Sequence, residues 1–267
     1  MPSPRAVPAL AILLVEDNEV NRLVAEGFLA RHEHRVTAVG SDEAALEALD
    51  DDSFDLVLMD IRMPGMGGLE AIRRIRAGEQ HNGAHVPIIA LTAQVVRSEI
   101  DACFAAGADA FLGKPFEPAE LDAAIARCLS LTTGAPAEIE NTTKTPAVDS
   151  KVMRQHLDLL GRDYAGRIVD TFAETTPRIM ATLRDDLEAG AYERVSGHAH
   201  SLKSAAGNVG LPHVADLARR LEKAAGESDT ETSRRTLNAL EGAYAAASSE
   251  LRTTWQSLAA DGPSGEI

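Results

Sequence analysis

The sequence predicts an α/β domain built on a parallel five-stranded sheet, followed by an all-α antiparallel bundle, and three observations carry that prediction. Residues 10–130 alternate short apolar runs with amphipathic stretches, the pattern of a parallel sheet covered by helices on both faces. Residues 131–148, LTTGAPAEIENTTKTPAV, lose that periodicity and gather Thr, Pro, Gly and charge. From Asp149 onward apolar residues recur at three- and four-residue spacing, and no strand pattern returns.

The five strand candidates are AILLV, HRVTAV, FDLVLM, VPIIAL and ADAFL, alternating with helical segments near 19–31, 42–52, 67–77, 95–106 and 117–130. Right-handed crossovers leave few ways to arrange such a (βα)5 chain, and a doubly wound, flavodoxin-like sheet is the leading one. In the second half, helices are expected near 150–160, 164–189, 191–208, 211–226 and 231–259, a bundle with a short leading helix. Asp163 is the expected N-cap, Gly190 and Gly210 the expected breaks, and Pro212 suits a first helical turn. These readings divide the chain into a first domain at 1–130, a flexible linker at 131–148, a bundle at 149–260 and a disordered tail at 261–267.

The length of 267 residues accommodates two such domains, each with its own core. A formal net charge of -15 argues against a general nucleic-acid surface, because binding polyphosphate depends on Lys and Arg neutralising it. Residues 149–267 carry 14 Lys and Arg against 18 Asp and Glu, with no basic recognition helix. No apolar run approaches the roughly 18 residues that membrane insertion requires, and the N-terminus lacks the pattern of a secretory signal. Cys103 and Cys128 share no CxxC spacing and read as buried thiols of a reducing compartment. A cytoplasmic location is expected.

Glu16 and Asp17 follow the first strand and Asp60 follows the third. In an open parallel sheet the carboxyl ends of adjacent strands meet at the ligand-binding crevice, so the three carboxylates are expected to converge. Such a group repels itself unless protonated or neutralised, and Mg²⁺ fits because it accepts a few carboxylates and bridges to phosphate oxygens. Thr92 ends the fourth strand and can hydrogen-bond a phosphoryl oxygen, while Lys114 after the fifth brings a point charge to the same group. Positioning and charge neutralisation are most of what phosphoryl transfer asks of a protein, which makes Asp60 the natural nucleophile.

The stretches ILLVEDN, FDLVLMDIRMPGMGGLE, VPIIALTA and AGADAFLGKPF resemble the response-regulator receiver family across essentially all of residues 10–130. The resemblance implies that Glu16 and Asp17 bind the metal, that Asp60 is phosphorylated, and that Arg62 offers a backbone carbonyl to the metal. It also implies that Thr92 and Lys114 bind the phosphoryl group, that Phe111 is an aromatic switch turning inward as the Thr92 hydroxyl moves toward phosphate, and that the Lys114–Pro115 bond is cis. Arg62 and Gln94 flank the site and are candidates to tune the lifetime of phospho-Asp60.

In the second domain the informative stretch is SGHAHSLKSAAGNVG. At about 100° per residue, Val195, Ala199, Leu202 and Ala206 fall in one narrow sector that should face the bundle core. His200, Lys203 and Gly207 fall outside it, so His200 is expected to point to solvent with Lys203 one turn along, where its ammonium offsets charge on a phosphorylated imidazole. His198 is the competing acceptor, but it is out of register with Lys203.

HAHSLKSAAGNVGL resembles the histidine phosphotransfer (HPt) family, whose pattern runs His, two residues, Lys, then small residues and Gly. The resemblance implies that His200 is the phosphorylated residue and Lys203 its electrostatic support; Ser204 departs from the Gly common at its position. Together the two resemblances imply a phosphorelay protein that accepts a phosphoryl group from a sensor histidine kinase at Asp60 and passes it through His200 to the receiver of a downstream response regulator. The alternative is the reverse flow, a phosphate sink draining a regulator. No Gly-rich ATP lid or Walker motif is present, so the chain reads as a phosphoryl carrier rather than an enzyme, either free-standing or the C-terminal part of a hybrid sensor histidine kinase. An aspartyl-nucleophile phosphatase would need a second carboxylate two residues after Asp60, where Arg62 stands.

Overall fold

The computed structural model describes residues 9–63, 66–82, 85–92, 97–130 and 148–261. The expected linker, apart from residue 148, the expected disordered tail after Asp261, and Gln94 lie outside the described residues. The chain divides into two compact units.

The first unit alternates β1 (Ala11–Val15), α1 (Glu19–Ala30), β2 (Arg35–Val39), α2 (Asp42–Asp51), β3 (Leu56–Asp60), α3 (Gly68–Asn82), β4 (Ile88–Thr92), α4 (Arg97–Ala106), β5 (Ala110–Gly113) and α5 (Pro118–Ser130). The strands form one parallel sheet in the order β2-β1-β3-β4-β5, the flavodoxin-like arrangement expected. Strand side chains alternate between faces, and both faces are covered. Leu13, Val15, Val57 and Met59 join Ile72, Ile75 and Cys103 in one cluster, while Ile12, Leu14, Leu56 and Leu58 are fully buried as well. Double coverage explains why these strands read as continuous apolar runs rather than alternating ones.

The register aligns the carboxyl ends of the strands, pairing Val15 with Val39 and Met59, Asp60 with Leu91, and Thr92 with Gly113. Residues that end or follow the strands therefore share one edge. The turn into α3 approaches that edge very closely, since a Cβ on Gly68 would lie 2.1 Å from the Asp60 carbonyl oxygen. Only glycine fits there, which is the physical content of the GG pair before LEAI. α3 runs on to Asn82, five residues beyond the expected end.

The second unit consists of α6 (Ser150–Leu160), α7 (Arg162–Glu188), α8 (Tyr192–Asn208), α9 (Pro212–Gly226) and α10 (Thr230–Asp261). Connections of a few residues make successive helices from α7 onward antiparallel neighbours. Gly190 and Gly210 end helices with φ of 69° and 71°, and Pro212 occupies the first turn of α9. Asp163 is not the N-cap of α7. Gly161 takes that position, and Asp163 sits inside the first turn, where its charge meets the positive end of the helix.

α7 contains Pro177, whose missing N–H would leave the Ala173 carbonyl without its helical donor. The Tyr244 hydroxyl, from α10, donates to that carbonyl at 3.4 Å. The helix thus continues through the proline because a neighbour supplies the donor that the sequence withholds.

Candidate functional site

At the sheet edge, Glu16, Asp17 and Asp60 each offer a carboxylate oxygen, and these oxygens lie within 4.8 Å of one another. The convergence follows directly from β1 and β3 being neighbours in register. Glu16 and Asp60 are buried. The Lys114 ammonium bridges them, donating to Glu16 Oε2 at 2.8 Å and to Asp60 Oδ2 at 2.6 Å. The second Asp60 oxygen, Oδ1, accepts the Arg62 backbone N–H at 3.0 Å.

Burial pushes the Asp60 carboxyl up to about 7; Lys114 opposes that rise, and the charges on Glu16 and Asp17 add to it. Burial alone would lower the Lys114 ammonium, but Asp60 and Glu16 overcome this and raise it above its ordinary range. Three carboxylates that converge within 4.8 Å, two of them buried, are the donor set of a hard divalent cation.

Thr92 is fully buried, and its hydroxyl donates to Glu99 Oε2 of α4 at 2.6 Å. The other Glu99 oxygen accepts Arg62 Nε at 3.1 Å. Phe111 packs edge-on against Phe104 of α4, with ring centroids 6.2 Å apart, and Phe104 is the exposed large apolar residue of the described chain at 46%. The Lys114–Pro115 bond is cis, as the resemblance implies.

The sequence expects His200 at solvent, whereas it is 1% exposed in the chain taken whole. Its ring also meets a carboxylate: Nδ1 lies 2.7 Å from Glu222 Oε1 on α9. Glu222 Oε2 accepts the Lys203 ammonium at 2.8 Å, so one carboxylate holds both residues of the expected pair. Burial would raise the Glu222 carboxyl, but the bond to His200, the charge of that ring when protonated and the charge of Lys203 hold it down at about 2. His198 lies elsewhere, its Nε2 3.4 Å from Asp186 Oδ2.

A carboxylate accepts but does not donate, so Nδ1 carries a proton, and in the neutral ring the lone pair is on Nε2. Glu222 was not foreseen, although the sequence carries a signal for it. In PHVADLARRLEKAAG it falls among Ala218, Leu221 and Ala225, on the apolar side of the helix, and is itself 4% exposed. A buried acid needs a partner, and a cation-ready His-x-x-Lys one helix upstream is a suitable one. Glu99 offers no such signal, since it lies in the polar first turn of α4.

The two sites have the contents of a phosphoryl relay, and comparison with known proteins agrees. The response regulator receiver domain matches residues 12–126, and the Hpt domain matches residues 167–253. The chain is a two-component phosphorelay protein in which a receiver domain is followed by an Hpt domain. It is similar to the sensory/regulatory protein RpfC of Xanthomonas campestris, 28% identical over 225 residues, covering 82% of this chain and 31% of that protein. The aerobic respiration control sensor protein ArcB of Escherichia coli is 30% identical over 219 residues, 81% of this chain and 28% of ArcB. The sensor histidine kinase AruS of Pseudomonas aeruginosa is 34% identical over 232 residues, 84% of this chain and 22% of AruS. The chain thus spans about a third or less of these relatives. Among solved structures, the magnesium-bound receiver domain of sensor histidine kinase PA1611 from Pseudomonas aeruginosa is 42% identical, covering 46% of this chain and 98% of that one with a TM-score of 0.42. Among the described residues, no helix is long and apolar enough to cross a membrane.

Proposed function

We propose that Asp60 takes a phosphoryl group from the phosphohistidine of a sensor kinase, that His200 receives it from Asp60, and that the aspartate of a separate response regulator takes it from His200. The observation that carries this reading is the convergence of Glu16, Asp17 and Asp60 around Lys114, within an edge that also holds Thr92. In the first step the donor N–P bond breaks as an Asp60 oxygen bonds to phosphorus. In the second, the acyl-phosphate O–P bond breaks as His200 Nε2 bonds to it.

The chain's own residues divide the work. Lys114 faces the leaving or entering oxygen of Asp60 as a fixed positive charge, and Thr92 offers its hydroxyl to a phosphoryl oxygen. Glu16, Asp17, Asp60 and the Arg62 backbone carbonyl are the ligands we assign to Mg²⁺, which when bound neutralises charge on the phosphoryl oxygens. In the bundle, Glu222 fixes the imidazole tautomer that leaves Nε2 nucleophilic, and Lys203 balances the phosphorylated ring.

We assign the receiver to residues 1–130, the linker to 131–148 and the HPt bundle to 149–260, with the chain acting as a carrier rather than a kinase. Its similarity to parts of much longer sensor proteins supports its being the C-terminal part of a hybrid sensor histidine kinase. We assign it to the cytoplasm, where a kinase would make the loading phosphohistidine from ATP. Incubation with phosphorylated candidate kinases, following label to Asp60 and His200, tests the scheme. Loss of label from His200 in the Asp60→Asn variant is expected; kinase-dependent labelling of His200 in that variant overturns the order.

A further inference from the structure

Thr92 is the residue whose hydroxyl a phosphoryl group on Asp60 is expected to recruit, and in this structure the hydroxyl already has an acceptor. It donates to Glu99 Oε2 at 2.6 Å, and a hydroxyl carries one proton. Arg62 Nε holds the other Glu99 oxygen at 3.1 Å, while the Arg62 backbone N–H holds Asp60 Oδ1 at 3.0 Å. One residue therefore joins the nucleophile to the carboxylate that occupies Thr92. The Glu99 side chain is 13% exposed and Thr92 is fully buried, so this hydrogen bond is largely shielded from competing water.

We infer that Glu99 is a positioning residue that competes with the phosphoryl group for the Thr92 hydroxyl, and so sets how strongly the receiver holds that group. The inference rests on the reading of Asp60 as phosphoacceptor. A phosphoryl group on Asp60 brings negative charge and new acceptor oxygens to the end of β3. Those oxygens take the Thr92 proton, attract the Arg62 guanidinium and repel the Glu99 carboxylate, and all three effects open the same link. Glu99 lies in the first turn of α4, so breaking the link frees the start of the helix that carries Phe104 against Phe111. Neither Glu99 nor its role belongs to the sequence motif, which stops at Ala93.

The test uses the full chain with Mg²⁺ and beryllofluoride, a non-covalent stand-in for the phosphoryl group, and reads the dissociation constant by ¹⁹F NMR or calorimetry. Glu99→Ala is expected to bind about three- to tenfold more tightly than the unsubstituted chain, the scale of one hydrogen bond released for use elsewhere. Glu99→Gln keeps an acceptor carbonyl without the charge, and its affinity should fall between the two. In a Thr92→Val background, which preserves shape and removes the hydroxyl, Glu99→Ala should give a clearly smaller gain, the part due to lost repulsion alone. Affinity within twofold of the unsubstituted chain for Glu99→Ala overturns the competition, as does an equal gain with and without the Thr92 hydroxyl, because that gain is Coulombic alone. Absence of binding by the unsubstituted chain, which tests the Asp60 reading separately, overturns that reading and the competition together.

Discussion

Glu222 Oε1 lies 2.7 Å from His200 Nδ1, and both side chains are almost fully buried. The carboxylate selects the tautomer with its proton on Nδ1 and simultaneously anchors Lys203 through its other oxygen. Glu222→Ala should slow phosphoryl transfer to His200 by about tenfold or more, because tenfold corresponds to only about 1.4 kcal/mol of barrier, the scale of one charge-assisted hydrogen bond. Rapid-quench measurement of phospho-His200 formation checks this, with Glu222→Gln recovering part of the rate. Unchanged kinetics in the alanine variant would mean the carboxylate does not orient the ring.

Lys114 is the cation that lets Glu16 and Asp60 lie buried together, each bonded to its ammonium. Lys114→Met removes that ammonium from both carboxylates, a cost of about 3–5 kcal/mol for a broken buried pair, moderated as Asp60 takes up a proton. Mg²⁺ should stabilise the unsubstituted receiver by about 2.7 kcal/mol at a hundred times its dissociation constant. Thermal melts with and without Mg²⁺ should show a larger gain for Lys114→Met than for the unsubstituted chain, and no gain for Asp60→Asn. A gain of the same size in all three proteins would count against the assigned ligands.

His156 on α6 is buried, and burial lowers its imidazole to about 4 from an ordinary 6.5. The unfolded chain therefore takes up this proton first as pH falls. Its contribution to stability is complete above about pH 6.5 and is lost progressively toward pH 4, with a slope of at most about 1.4 kcal/mol per pH unit. Urea melts at pH 7, 5.5 and 4.5, followed by the fluorescence of the single Trp255, should show a flatter pH dependence for His156→Gln. An unchanged slope between pH 6.5 and 4 refutes the assignment.

Gly210 combines a φ of 71° with close approach, since a Cβ there would lie 2.4 Å from the Asp149 carbonyl oxygen. Its own carbonyl accepts the Asp149 N–H at 2.7 Å, tying the start of α6 to the turn between α8 and α9. Gly210→Ala should destabilise the bundle by at least about 1–3 kcal/mol, from the disfavoured backbone and the displaced contact. Gly197 lies in α8, and nothing falls within 4 Å of where its Cβ would be, so Gly197→Ala serves as the control and should be neutral or stabilising. Equal melting temperatures for the two variants would contradict this account.

Much of the receiver was legible because its signals are local. Apolar runs of strand length mark β1 to β5, and once the strands are parallel and in register, the residues ending them must meet; Glu16, Asp17, Asp60, Thr92 and Lys114 needed no further information. The bundle's helices were legible from periodicity to within a few residues, apart from the N-cap of α7, where Gly161 rather than Asp163 starts the helix. Pro177 lies inside α7, and the Tyr244 hydroxyl reaches the carbonyl it orphans from 71 residues away.

The sequence by itself determined the two folds, the strand ends that bring three acids around a lysine, and the His200–Lys203 spacing on one helix. Only the tertiary structure decided the partners: Glu222 beside His200, and Glu99 on Thr92. Periodicity records how each residue relates to its own element, whereas a hydrogen bond between elements depends on where packing places two side chains distant in the chain. Polar pairs of that kind leave no repeat in the sequence, and here they set which nitrogen of His200 carries a proton and the occupied hydroxyl of Thr92.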